Sequence, residues 1–276
     1  DLINTYLSTT NSQPDLACLA IAAPVPADSN NGQKITLTNL PWQFHHTALM
    51  QELKLKNLYF INDFSGLPYI TENLDTLVAA PDVQILQPGR ALLPKLETTE
   101  IILGAGTGLG CVIAHKSNQG IKVLNSEAGH SDISGARQQL RVIIRYLEKN
   151  SLPVCWESIL SGVGLERLYA LLSGQKMGSL SAKKITYNAA TDIKGVEFQT
   201  LELFLILAGI FTPNHVYLVG NIFRIVFGIV SVEKFLEGFH NTSQHKSLLR
   251  TIPVTLIKDT QIGLKGAIAY TLKNLT

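Results

Sequence analysis

No run of about 18 apolar residues, the length a helix needs to cross a bilayer, occurs in the chain. The nearest, Leu203 to Phe211, is too short, and Arg224 interrupts the apolar stretch that follows. Charge is scarce too: charged residues make up 16% of the sequence against 46% hydrophobic, and the net charge is only +2. Such a composition excludes a disordered chain. Acidic and basic residues are interspersed, so nothing calls for a nucleic-acid or membrane partner. Cysteine is limited to Cys18, Cys111 and Cys155, an odd number, far apart, in apolar segments and in no metal-binding spacing. These read as buried free thiols in a reducing compartment rather than as a disulfide framework or a metal site. There is no fixed-period repeat and no low-complexity segment, and 276 residues suffice for one large domain or two smaller ones.

What is present is an alternation of strands and helices. Leu2, Ile3, Tyr6 and Leu7 have helical spacing, ended by Asn11-Ser-Gln-Pro. Ala17 to Ala23 is a continuous apolar run that reads as a strand buried on both faces. Lys34 to Thr38 alternates as a second strand, His46 to Leu55 is helical, and Leu58 to Ile61 is a short buried strand ending at Asn62-Asp63, with helix from Phe64. Residues 77 to 95, with three prolines, read as loop. Ile101 to Leu103 runs into a glycine-rich segment, and Cys111 to Ala114 and Val123-Leu124 continue the sheet. Helical pattern follows from Gln138 to Leu147, Trp156 to Leu160, Leu165 to Leu172 and Phe198 to Ile210. His215 to Val219 and Val254 to Ile257 are strands, each leading through glycine into helix. The pattern predicts an α/β fold, with the candidate functional points where strands end, at Asp63, Gly104, Gly220 and Asp259. Open α/β sheets place ligands at such carboxyl ends.

Gly104-Ala-Gly-Thr-Gly-Leu-Gly110 lets backbone approach a ligand closely and aim N–H groups at an anion, with the Thr107 hydroxyl as a further donor. A dinucleotide fingerprint needs glycine at the sixth position, which is Leu109 or Cys111 depending on the register, so it fails. A phosphate-binding P-loop needs a lysine that is absent. A strand–turn–strand hairpin cradling phosphates remains, beside the plainer reading of a tight turn. Asn62-Asp63 precedes a helix, where a carboxylate suits either proton abstraction from a hydroxyl or a helix N-cap. Glu127-Ala-Gly-His130-Ser-Asp132 has the Glu-x-x-His spacing of a di-iron ligand pair, but Gly129 weakens a helix there and no second copy exists. Carboxylate and imidazole also suit vicinal sugar hydroxyls, and a polar surface loop is the bland alternative. Glu157 reads as a glutamate on a helix just before the Ser161-Gly162 turn.

Together these pieces resemble the bacterial glucokinase family over nearly the whole chain. The matching stretches are Ile21-Ala-Ala-Pro24, Leu37-Thr-Asn39 with Trp42, Ile61-Asn-Asp-Phe64, Gly104 to Gly110, Glu127-Ala-Gly-His130 with Asp132, and Glu157 through Leu160-Ser-Gly-x-Gly-Leu165. The resemblance implies a two-lobed actin/hexokinase-like (ribonuclease H-like) α/β fold closing over glucose and ATP. The small lobe would span 1–73, joined by the C-terminal helix 263–276, and the large lobe 74–262. It implies Asp63 as the base toward the glucose 6-hydroxyl, and Asn62, Glu127, His130 and Glu157 as holders of the other hydroxyls. Gly104, Gly106, Thr107 and Gly108 would line the phosphate side, with Gly220 and Gly263 near the adenosine and Mg²⁺ arriving with ATP. No protein metal site, nucleic-acid partner or membrane partner is implied, the location is cytoplasmic, and a homodimer is one assembly it allows. The Asp-x-Gly-Gly-Thr loop of the family's first strand is not found. The expectation is therefore that the N-terminal strands of the small lobe are missing from this chain. The alternative function is a non-catalytic sugar-binding or regulatory relative that has lost its nucleotide site.

Overall fold

The computed structural model describes residues 2–25, 34–37, 41–89, 97–135, 138–174, 213–227, 231–240 and 246–274. The helix expected at Phe198 to Ile210 lies outside them. The chain divides into two compact units, one formed by 1–77 with 261–276 and the other by 78–260.

In the first unit, helix α1 (Leu2–Thr9) leads to β1 (Leu16–Ile21). A short antiparallel pair, β2 (Lys34–Thr36) and β3 (Gln43–His45), precedes α2 (His46–Glu52), β4 (Asn57–Asn62), α3 (Leu67–Glu72) and α4 (Leu74–Leu77). β1 and β4 pair in parallel, with Leu16 opposite Asn57 and Ile21 opposite Asn62. Their apolar residues close over Ile35, Leu53, Leu55, Leu58 and Phe60. His46 joins this core because its Nε2 meets the Leu58 carbonyl at 2.7 Å, which satisfies a buried ring nitrogen. The expectation that β1 is buried on both faces fails. Its residues are only half-buried, Ala20 is exposed, and among the described residues β4 is its one strand partner. β3 was not anticipated, being three residues whose pairing with β2 alone defines them.

The second unit is built on a six-stranded mixed sheet. Its strands are β5 (Val83–Gln87), β6 (Thr98–Ala105), β7 (Leu109–Ser117), β8 (Gly120–Ser126), β9 (His215–Val219) and β10 (Val254–Ile257), in the spatial order β5-β10-β9-β6-β7-β8. β6, β9 and β10 are parallel, β7 turns back antiparallel between β6 and β8, and β5 runs antiparallel to β10. β5 corrects the loop expected over 77 to 95. Pro81 and Pro88 flank the strand rather than interrupt it, so its backbone donors are free to pair.

Central strands buried on both faces need continuous apolar sequence, and Ile101, Ile102 and Leu103 supply it, each at most 1% exposed. Among the described residues the unit's helices are α5 (Gln138–Lys149), α6 (Gly162–Ser173), α7 (Asn221–Val226), α8 (Val232–His240) and α9 (Lys246–Leu249). Leu140, Leu147, Leu165, Leu168, Phe223, Phe235 and Phe239 from them join Leu103, Leu218 and Leu256 of the sheet in one core around the fully buried Trp156. The last helix, α10 (Ile262–Asn274), returns to the first unit. It packs on α3 so closely that a Cβ on Gly66 would fall on the Gly266 backbone, and Tyr270 meets Tyr69 edge to face at 5.3 Å.

Candidate active site

Strand direction decides where the polar residues of the second unit gather. β6, β8, β9 and β10 all point the same way, so their carboxyl ends share one edge of the sheet. At that edge β6 passes Gly104 and enters the Gly106-Thr107-Gly108 turn, β8 runs out at Ser126 into Glu127, and β9 ends at Gly220.

The β6–β7 hairpin settles the reading of the glycine segment as strand–turn–strand. Gly106 N–H donates to the Gly108 carbonyl at 2.9 Å, closing the turn. A Cβ on Gly106 would meet nothing within 4 Å, and Thr107 is exposed, so the tip presents open backbone and a hydroxyl suited to an anionic ligand. Gly220 sits in the left-handed region (φ +97°), where a Cβ would also strike the Ala105 carbonyl, so only glycine lets β9 end against the hairpin.

One peptide of this hairpin, Leu109, is held from two sides. Its N–H donates to the Glu157 carboxylate at 2.8 Å, a charge-assisted bond. Its carbonyl lies against Gly129, where any side chain would collide, which brings the Glu127–His130 segment alongside. Glu127 and His130 stand at the two ends of a 3-10 turn, with Oε2 and Nε2 3.7 Å apart and both side chains largely exposed. Further along, Trp156 N–H donates to the Ser131 carbonyl at 3.2 Å and Asp132 bridges to Cys155, so the segments bearing His130 and Glu157 are laced together. Glu157 is not on the regular helix expected at Trp156 to Leu160. It occupies a 3-10 turn, Trp156–Ser158, and α6 starts only after Ser161, whose Oγ caps it by accepting from Gly164 N–H at 3.1 Å.

The first unit has its own strand-end site. Asp63 N–H donates to the Ile21 carbonyl at 3.0 Å, Asn62 Nδ2 donates to the Ala23 carbonyl at 3.1 Å, and Asn62 Oδ1 accepts from Phe64 N–H at 2.9 Å. One amide hydrogen and one lone pair of Asn62 thus fix the turn that carries Asp63, and one of each remains for a ligand. Gly263 lies in the first turn of α10 with open space where a side chain would be.

A family model for glucokinase matches residues 1–274. The chain belongs to the glucokinase family. A curated relative, the glucokinase of Colwellia psychrerythraea, is 30% identical over 94% of this chain and 80% of its own length. Among solved structures, the glucokinase of an Antarctic psychrotroph is 26% identical, with a TM-score of 0.72 over 97% of this chain and 84% of that one. The Balamuthia mandrillaris glucokinase, solved in complex with glucose, has a TM-score of 0.77 at 20% identity over 97% of this chain and 80% of that one, a likeness of fold. The architecture is accordingly the α/β fold of the actin/hexokinase type that the family shares. Sequence reasoning singled out Gly104 to Gly108, Glu127, His130 and Glu157, which lie along this edge, but gave Leu109 no part, because a backbone donor leaves no mark in a side-chain pattern.

Three free cysteines complete the inventory, Cys111 and Cys155 buried and Cys18 half-buried, close to the expected state of each. Burial pushes the Cys111 thiol up to about 12, so it is inert as a nucleophile.

Proposed function

We propose that the chain is an ATP-dependent glucokinase, which transfers the terminal phosphoryl group of ATP to the 6-hydroxyl of glucose. The observation that carries this reading is the convergence of a glycine hairpin with Glu127, His130 and Glu157 at one sheet edge, tied together through Leu109. Hairpin N–H groups and the Thr107 hydroxyl suit phosphate oxygens, while two carboxylates and an imidazole suit vicinal hydroxyls. Asp63 takes the proton of the 6-hydroxyl as its oxygen attacks phosphorus, and the bond from phosphorus to ADP breaks. Asn62 holds Asp63 in place and shares its spare amide atoms with the sugar. Gly263 leaves room for the adenosine, and Gly220, held against Ala105, ends β9 on the nucleotide side. Magnesium, entering on the phosphates of ATP, supplies charge neutralisation there. Unpaired thiols suit a reducing cytoplasm.

The first prediction tests the base. Asp63→Asn keeps hydrogen bonding but cannot accept the proton, so kcat for glucose 6-phosphate formation falls by about 10²-fold or more, while calorimetry still registers glucose binding. Wild-type protein that binds glucose yet never phosphorylates it would instead make the chain a sugar-binding relative.

A further inference from the structure

Glu157 is aimed by a turn closed by two backbone bonds, Ser158 N–H to the Cys155 carbonyl and Ile159 N–H to the Trp156 carbonyl, each at 3.1 Å. The 3-10 segment Trp156–Ser158 is three residues long, and its cap residues Cys155 and Ile159 make no side-chain cap bond. Beside the Ser131 and Asp132 contacts already described, a further hold comes from α6. Arg167, in the second turn of α6, reaches back and donates from Nη1 to the Ser158 carbonyl at 3.0 Å, across nine residues. Its Nε is buried without a partner among the described residues, a cost that a fully exposed arginine would not bear. The same helix starts against the hairpin: Gly162 N–H donates to the Gly106 carbonyl at 2.8 Å, and Gly164 has no Cβ to keep its backbone off Ile159. α6 therefore grips the hairpin at one point and the glutamate's turn at another.

We infer that Arg167 is a positioning residue for glucose binding, one that acts through Glu157. By pinning the Ser158 carbonyl it fixes the 3-10 turn, and the turn directs the Glu157 carboxylate both at Leu109 N–H and at the sugar. The inference rests on the reading of Glu157 as a glucose contact. An arginine suits the task because its planar fork keeps direction while the carbonyl it binds takes only one hydrogen. If the arginine served only to stabilise α6, its loss would lower stability and leave the affinity for glucose in the folded protein unchanged.

The test is a double-mutant cycle on the full chain, read by glucose calorimetry and steady-state kinetics. Arg167→Ala is expected to weaken glucose binding about tenfold with the KM for ATP nearly unchanged, and Arg167→Lys, which can still donate one bond, to recover most of it. Glu157→Gln weakens glucose binding on its own. On that background Arg167→Ala should add less than about twofold, because two residues acting through one contact are not additive. With Trp42 replaced by phenylalanine, the emission of buried Trp156 reports the turn directly, and acrylamide should quench it more in Arg167→Ala than in the parent. Additive effects, or undisturbed glucose binding in Arg167→Ala, would overturn the inference. A Glu157→Gln variant that binds glucose normally would instead bring down the role of Glu157 itself. Should Arg167→Ala fail to fold, Arg167→Met, which keeps the apolar stem but cannot donate, carries the same comparison.

Discussion

Gly108 has no Cβ, and the place where one would sit lies 2.6 Å from Glu157 Oε2. The residue is not in the left-handed region, so alanine is permitted by the backbone and only the glutamate must give way. The second prediction follows: Gly108→Ala pushes the carboxylate off Leu109 N–H and leaves a buried donor unsatisfied. Stability should fall by about 1–3 kcal/mol in urea, and the KM for glucose should rise by about tenfold. An unchanged glucose KM would mean that the Glu157–Leu109 bond is incidental to the sugar. Strand ends were legible at single residues, from the polar side chains of Asn62-Asp63 and from the glycine at 220. Glu157 read only as a glutamate on a helix. What gives it a fixed direction is a main-chain N–H 48 residues earlier and an arginine nine residues beyond its neighbour Ser158, and neither relation has a local signature.

At the scale of elements, two glycines at the ends of strands and helices are expected to behave in opposite ways. Gly220→Ala places a Cβ in left-handed backbone and against the Ala105 carbonyl, so the third prediction is a loss of about 3 kcal/mol or more, read as a fall in Tm. Gly263→Ala meets nothing within 4 Å and removes a helix-weakening residue from α10, so the fourth is a gain of up to about 1 kcal/mol. If Gly263 is bare to admit the nucleotide, that stabler variant also shows a higher KM for ATP and an unaltered KM for glucose. Elements with strong local signals were readable: the apolar runs of β4, β6, β9 and β10, and the helical spacing of α5. β5 was not, because its central residue, Ile85, is 66% exposed while Gln87 is buried beside Leu86. Gln87 is inside because its amide donates to the Leu249 and Ile252 carbonyls and its Oε1 meets His240 Nε2 at 2.6 Å. Those partners lie more than 150 residues away, so nothing near Gln87 in sequence marks it as core.

At the scale of the whole molecule, each unit carries one of the two tryptophans, Trp42 in the first and Trp156 in the second, so their unfolding can be followed separately. The second unit also holds His215 and His240, both kept neutral by the fold. Burial first, and the Lys116 ammonium next, hold His215 down at about 4 from its ordinary 6.5; His240 is lowered by burial and then by Arg250. His215 Nε2 meets Thr255 Oγ1 at 2.8 Å between adjacent strands, so charging it disturbs the sheet itself. The sign of the effect is fixed by linkage. Between about 4 and 6.5 the unfolded chain binds a proton at His215 that the folded chain does not, so stability is complete above 6.5 and drains away as pH falls toward 4. At about 1.4 kcal/mol per pH unit, the second unit should lose roughly 2 kcal/mol between pH 7 and pH 5. The fifth prediction is that urea unfolding read by Trp156, in a Trp42→Phe background, shifts to lower urea by that amount over this range. His215→Gln, which has no proton to gain, should flatten most of the slope whatever its own stability at pH 7. A slope unchanged by His215→Gln would place the acid sensitivity elsewhere, and a Trp156 midpoint constant from pH 7 to pH 5 would mean that His215 titrates alike in folded and unfolded chains.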